Sequence, residues 1–205
     1  MSDSDDNSIK IILLGESGVG KTNLINVFFG REFNQHSEAT SMSYNFEGEI
    51  NYKKKPYKYF IWDTCGMEKY RSINKMFIRD SKIILIVYSI VDKRSFNEVD
   101  FWINFVKENV GSDKYIIALV ANKSDLFEEQ IVMEEDGREI AEKYGIEFFT
   151  TSASTNSKPF QGFVNKLIIN YIDLSEKKEE KKVEIKEAKI DEKKEEKSKK
   201  KCNIF

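Results

Sequence analysis

The sequence predicts an α/β fold with a mostly parallel six-stranded sheet and helices on both faces. Three observations carry that prediction. Short apolar runs alternate with segments of helical period along residues 9–173. The run Lys10–Leu14 (KIILL) feeds a glycine loop, Gly15–Thr22 (GESGVGKT), which opens a segment with Leu24, Ile25, Phe28 and Phe29 at helical spacing. Two later strands, Tyr115–Ala121 and Ile146–Phe149, end in short polar clusters, at the edge of an open sheet where ligands bind.

The elements follow in order. Residues 9–14 read as the first strand and 20–29 as the helix that the loop opens. Strands at 43–51 and 57–63 are separated by a short turn near Lys53–Pro56, so they are predicted to pair antiparallel. A helix over 68–79 leads to a strand at 83–89, and a helix over 93–110 to a strand at 115–121. A helix over 134–144, a strand at 146–150 and a helix over 158–173 complete the alternation.

Chemistry concentrates in the loops. A strand feeding G-x-x-x-x-G-K-[ST] at a helix start aims several backbone N–H groups and a helix N-terminus at one point, which suits phosphate. In such a loop Lys21 reaches the β- and γ-phosphates and the Thr22 hydroxyl holds Mg²⁺. Asn122-Lys123-Ser124-Asp125 follows the strand at 115–121, and its carboxylate suits the N1–H and N2–H₂ edge of guanine. Adenine has no such donor pair, so it would leave Asp125 unpaired. Thr151-Ser152-Ala153 follows the next strand. Each motif alone has an ordinary reading, a glycine loop without phosphate or a surface turn; their order along one chain outweighs it.

The order GESGVGKT, Thr40, WDTCG at 62–66, NKSD at 122–125 and TSA at 151–153 resembles that of Ras-superfamily small GTPases over residues 9–173. Trp62 before Asp63, the run IVYSI at 86–90 and the stretch 67–81 are similar to the Rab branch. No helical insert separates Asp125 from Ser152, unlike the Rho branch, and Ser2 stands where an Arf-like chain has its acylated glycine. The resemblance implies a small G domain of the P-loop NTPase class, binding GTP or GDP with Mg²⁺. It implies that Ser17, Gly18, Val19, Gly20, Lys21, Thr22 and Asn23 surround the phosphates and that Phe33 packs on the guanine. Thr22, Thr40 and Asp63 serve the metal, Thr40 only in the triphosphate state, and Gly66 donates its N–H to the γ-phosphate. Thr40 is assigned by spacing, 18 residues after Thr22 and 23 before Asp63. Asn122, Lys123 and Asp125 read or stack on the base, together with Ser152, Ala153 and Ser154. Lys21, Gly66 and the residue at 67 form the hydrolytic set. Loops at about 33–45 and 65–80 are then held by the γ-phosphate and its metal and relax on hydrolysis.

Several positions depart from the family pattern. Met67 stands where most members have the Gln that orients the attacking water. A thioether is a weak acceptor with no donor, so slow intrinsic hydrolysis is expected. A long-lived GTP-bound platform and a switch dependent on an activating partner both remain open, as does a Met67 that merely packs. Cys65 takes an Ala place and reads as a small apolar residue. Ser154 replaces the usual Lys, which removes any contact that Lys makes. After Thr40 the run Ser41–Phe46 leaves the register of the first switch open between Tyr44 and Phe46, and Phe46, Trp62 and Phe77 read equally as an apolar patch or as core.

The remaining features are bland or peripheral. The length of 205 residues suits one domain at 9–174, after an acidic extension at 1–8 and before a charged tail at 175–205. No run reaches the roughly 20 apolar residues of a transmembrane helix, and the first residues lack a signal-peptide core. Two cysteines point to a reducing compartment, and the single histidine, His36, reads as a solvated loop residue. Residues 176–205 hold twelve Lys against nine acidic residues and too few apolar groups to fold alone. Cys202-Asn203-Ile204-Phe205 fits a prenylation motif loosely, with Lys199–Lys201 as a second, electrostatic membrane signal.

These features together predict a prenylated Rab-like GTPase of vesicle traffic. It would be a monomer on the cytosolic face of an endomembrane or vesicle, cycling with the cytosol. Its partners would be an exchange factor, an activating protein, effectors of the GTP form and an escort that shields the prenyl group. A nucleotide-locked scaffold and a Ras- or Rho-like signalling GTPase are the rivals, a generic ATPase is distant, and a nucleic-acid polymer is disfavoured by the acidic neighbours of the tail lysines.

Overall fold

The structure, a computed structural model, describes residues 8–35, 40, 44–64, 71–155 and 157–177, without the side chains of 71–74. Cys65, Gly66, Met67, His36, the acidic start, Lys199–Lys201 and Cys202 lie outside the described residues.

Six strands form one sheet in the order β2-β3-β1-β4-β5-β6. They are β1 (Ile9–Leu14), β2 (Tyr44–Tyr52), β3 (Lys55–Asp63), β4 (Ile83–Ser89), β5 (Ile116–Asn122) and β6 (Glu147–Thr150). Among the described strands only β2 runs antiparallel, paired with β3 from Tyr44↔Asp63 to Tyr52↔Lys55 as the short turn predicts. β1 lies between β3 and β4, with Ile11 opposite both Ile61 and Ile83. Every residue of β4 is buried, which explains its unbroken apolar sequence: a central parallel strand is covered on both faces.

The covering helices are α1 (Lys21–Phe28), α2 (Arg71–Ile78), α3 (Lys93–Asn97), α4 (Val99–Asn109), α5 (Glu134–Tyr144) and α6 (158–177). Side-chain alternation along the strands divides the interior in two. Ile11, Leu13 and Leu85 face Leu24 and Ile25 of α1 and Phe163, Val164 and Leu167 of α6. Ile12, Leu14, Ile84 and Ile86 face Ile78 of α2, Trp102, Ile103 and Val106 of α4, and the edge of α5. The expected α/β sandwich is therefore the observed one.

Four local differences have physical causes. The single helix expected at 93–110 is two, α3 and α4, meeting at Glu98, where ψ rises to −3°. Asp92 caps α3 by accepting from the Arg94 and Ser95 N–H groups at 3.0 and 3.4 Å. Ser124–Glu129 forms 3-10 turns kinked at Leu126, which apolar periodicity does not signal. α6 extends past the expected residue 173, because Asp173 and Glu176 are tied to the β2–β3 hairpin.

The fourth difference concerns the aromatic patch. Trp62 and Phe77 touch, with ring centroids 5.6 Å apart. Phe46 does not join them. It pairs with Ile61 while Trp62 pairs with Asn45, so the two rings point to opposite faces of the sheet. Phe46 stacks instead on Phe29 at 5.5 Å, beneath the Arg31 guanidinium.

Candidate nucleotide-binding site

The chain passes from β1 to β3 on one side and then to β4 on the other, so the sheet reverses direction beside the C-terminal end of β1. Open α/β sheets bind ligands in the crevice at such a point. A hollow of about 570 Å³ lies there, lined by the glycine loop, Phe33, Thr40 and the loops after β5 and β6.

The loop is shaped by its glycines. Gly15 has φ +135°, and a Cβ there would stand 2.0 Å from the Val87 carbonyl oxygen of β4. Gly20 has φ +96°, and a Cβ there would meet the Asn122 amide at 2.5 Å. Both positions thus exclude side chains by conformation and by space. Lys21 is buried, and its Nζ donates to the carbonyl oxygens of Gly15 and Glu16, each at 2.8 Å. The ammonium therefore lies folded over the loop that it follows.

Next to it, Thr22 Oγ1 donates to Asp63 Oδ2 at 2.8 Å. Thr40 Oγ1 is 2.7 Å from Thr22 Oγ1. The single Thr22 hydrogen is committed to the carboxylate, so Thr40 is the donor in that contact. Burial pushes the Asp63 carboxyl above its ordinary range, against the opposing pull of Thr22, Lys21 and Thr40. Its Oδ1 is buried with no hydrogen-bond partner among the described residues.

At the far end, Asn122 Nδ2 donates to the Val19 carbonyl at 2.7 Å, and its Oδ1 accepts the Ala153 N–H at 3.3 Å. One side chain thereby ties the phosphate loop, β5 and the loop after β6 together. Lys123 adopts left-handed backbone (φ 66°) and turns the chain so that Asp125 lines the hollow. Ser152 Oγ donates to Asp125 Oδ1 and lies 2.9 Å from Ser154 Oγ. Partial burial pushes the Asp125 carboxyl up, yet the hydroxyls of Ser152 and Ser154, its own backbone N–H and Lys123 outweigh that and hold it below the usual range.

The sequence model of the Ras family matches residues 10–172. The chain belongs to the Ras family. Its relatives include Rab proteins. It is 34% identical to Ras-related protein Rab-27B of Rattus norvegicus over 195 residues, covering 90% of this chain and 87% of that one. Against Ras-related protein Rab-11B of Dictyostelium discoideum the identity is 37%, over 80% of this chain and 73% of the relative. Ras-related protein Rab-21 of Geodia cydonium is 38% identical over 70% and 62%. The chain is thus a Rab-like small GTPase.

Ras-family membership implies GTP, GDP and Mg²⁺, and the residues fit them. No group of three His, Cys, Asp or Glu able to cage a metal exists among the described residues. What the site offers is two hydroxyls and the unpartnered Asp63 Oδ1, a sparse oxygen set suited to a cation that takes its other ligands from phosphate and water.

Of the residues predicted for the site, Ser17, Gly18, Gly20, Lys21, Thr22, Phe33, Thr40, Lys123, Asp125, Ala153 and Ser154 line the hollow directly. Val19 and Ser152 are buried behind it. Asn23 also borders it, but its amide is engaged with the Asn34 backbone at 2.9 and 3.1 Å, holding the chain after α1 so that Phe33 reaches the hollow. Gly66 and Met67 lie outside the described residues. The pattern overlooked Gln35, Leu126 and the Glu16–Trp102 contact, in which the buried indole Nε1 donates to Glu16 Oε1 at 3.2 Å. That pair is 86 residues apart, and no local period signals it.

Proposed function

We propose that this Rab-like GTPase is a GTP/GDP switch of vesicle traffic with slow intrinsic hydrolysis. The observation that carries the nucleotide reading is the convergence on one hollow of Lys21, the Thr22–Thr40–Asp63 oxygens and Asp125. Backbone N–H groups from Gly18 to Lys21 would wrap the phosphates, with Lys21 Nζ exchanging its loop carbonyls for β- and γ-oxygens. Thr22 and Thr40 would give hydroxyls to the metal, and Asp63 would hold it through water. Mg²⁺ supplies charge neutralisation on the transferring phosphoryl group. Asp125 would accept from guanine N1–H and N2–H₂ while the Ala153 N–H meets O6, and Phe33 and Lys123 would pack on the ring. Thr40 connects the nucleotide to the first effector loop, so loss of the γ-phosphate would release that loop and the partners that grip it.

Met67 is the basis for the slow rate. A thioether cannot hold a water in line, so turnover would depend on an activating partner that brings its own groups. If no partner does so, the same residue favours a second reading, a nucleotide-locked scaffold. Exchange factors and effectors are expected on family grounds. No helix among the described residues is long and apolar enough to cross a membrane. Attachment would come from prenylated Cys202 with Lys199–Lys201 on anionic lipid, in exchange with an escort-bound cytosolic pool.

Single-turnover GTP hydrolysis of the full chain beside Met67→Gln tests the rate. The variant is expected to be faster by about tenfold or more, since a well-placed nucleophile is worth at least that. Equal rates would remove the basis for both the slow switch and the locked scaffold.

A further inference from the structure

The base end of the hollow contains a chain of hydroxyls whose hydrogens run in one direction. Ser152 is buried, and its Oγ donates to Asp125 Oδ1. The same oxygen accepts the Ser154 N–H at 3.1 Å and lies 2.9 Å from Ser154 Oγ. A serine has one hydroxyl hydrogen, and an ionised carboxylate only accepts. The Ser152 hydrogen is therefore used on Asp125, and Ser154 Oγ must be the donor in the serine pair. Donation into the Ser152 oxygen polarises its O–H and strengthens the bond to the carboxylate.

The consequence is orientational. The terminal torsion of an aspartate is broad and two-fold, so a carboxylate with a single partner samples many angles. Asp125 lines the hollow, and the Ser154–Ser152 pair holds it through Oδ1. Ser154 is exposed, so its hydroxyl is not a packing requirement. We propose that Ser154 is a positioning residue for base recognition: acting through Ser152, it fixes the Asp125 carboxylate at the angle that accepts guanine N1–H and N2–H₂ together. This rests on the reading of the hollow as a guanine-nucleotide site.

The test compares equilibrium affinities of the full chain for GDP, IDP and ADP, by displacement of a fluorescent GDP analogue. IDP keeps N1–H and lacks the 2-amino group, so the GDP:IDP ratio reports whether Asp125 engages both donors. Wild type, Ser154→Ala and Ser154→Thr are measured side by side. Ser154→Ala is expected to weaken GDP by about two- to tenfold, the worth of one hydrogen bond, and IDP by less, so that the ratio falls. Ser154→Thr keeps the hydroxyl and is expected to restore the ratio. An unchanged ratio in Ser154→Ala, whether both affinities drop or neither does, overturns the positioning role, as does a threonine variant indistinguishable from alanine. A wild type that binds ADP as tightly as GDP overturns the guanine reading, and the role of Ser154 with it. A selective wild type with an unmoved ratio removes only the latter.

Discussion

On the proposed guanine reading Asp125 carries the base selectivity, and its environment sets the pH range over which it would act. Its carboxyl lies below the ordinary value in the folded chain, so what it contributes is present above the unfolded value near 3.8 and is lost only as pH falls through the lower folded value. Between about pH 7.5 and pH 5 the carboxylate therefore stays ionised, and the GDP:IDP affinity ratio is expected to be flat. Phosphate protonation is common to both nucleotides and cancels in that ratio. A ratio that halves by about pH 5 would show that the hydroxyls do not hold the carboxyl down. Glu16, a buried acidic residue of the glycine loop, accepts a hydrogen bond from a donor distant in sequence. Trp102→Phe keeps most of the ring volume and removes the Nε1–H bonded to Glu16. Losing a donor to a buried polar group costs about 1–3 kcal/mol, which urea unfolding would detect as a lower midpoint. An unchanged midpoint would mean that Glu16 is satisfied without the indole.

At the level of elements, the β2–β3 hairpin and α6 hold each other. Tyr52 Oη donates to Asp173 at 3.0 Å, and Tyr57 Oη donates to Glu176 at 2.9 Å. Lys53 Nζ bridges both acids, at 2.6 Å to Asp173 and 2.8 Å to Glu176. Lys53 and Lys54 occupy left-handed backbone, which lets the hairpin turn tightly enough to aim the lysine at the helix. These groups are solvated, so the clamp governs local order more than global stability. Lys53→Ala is expected to leave the melting temperature nearly unchanged while amides near residues 171–177 exchange faster with deuterium, an effect that added salt should mimic. Exchange confined to wild-type rates would show that packing of Tyr171 and Ile172 alone orders the end of α6. The alternation within the same hairpin decides the aromatic surface: Trp62 meets Phe77 and Phe46 meets Phe29, on opposite faces.

Over the whole molecule, one sheet separates two apolar cores, and β4 serves both. Leu85 belongs to the core beneath α1 and α6, Ile86 to the core beneath α2 and α4, and neither is accessible to solvent. Leu85→Ala and Ile86→Ala are each expected to destabilise the fold by about 2–5 kcal/mol. Because the two side chains share a backbone, unfolding followed by fluorescence and by circular dichroism should coincide in one transition for each variant. Two separated transitions would mean that the cores melt independently. The site depends on this arrangement, since the loops that meet around the hollow follow β1, β3, β5 and β6, and their spacing is set by the sheet.

Much of this was legible in one dimension. The largely apolar runs of β1, β4 and β5 mark strands covered on both faces, and the glycine loop between β1 and α1 marks where phosphate would lie, because these signals depend on neighbours a few residues away. Thr40, assigned by spacing, and Asp63, assigned from the motif at 62–66, both meet Thr22. The 3-10 turns at Ser124–Glu129 and the break at Glu98 leave no mark on the apolar period, and the extra turn of α6 is held by tertiary bonds, so none of the three was legible. The sequence by itself determined the fold class, the family and most of the residues that line the hollow. Tertiary structure alone decided that Asn122 ties the glycine loop to the loop after β6, that Trp102 reaches Glu16, that Phe46 turns away from Trp62, and that Ser154 meets Ser152 beside Asp125. Such contacts join residues brought together by packing, where distance in space is no longer related to distance along the chain.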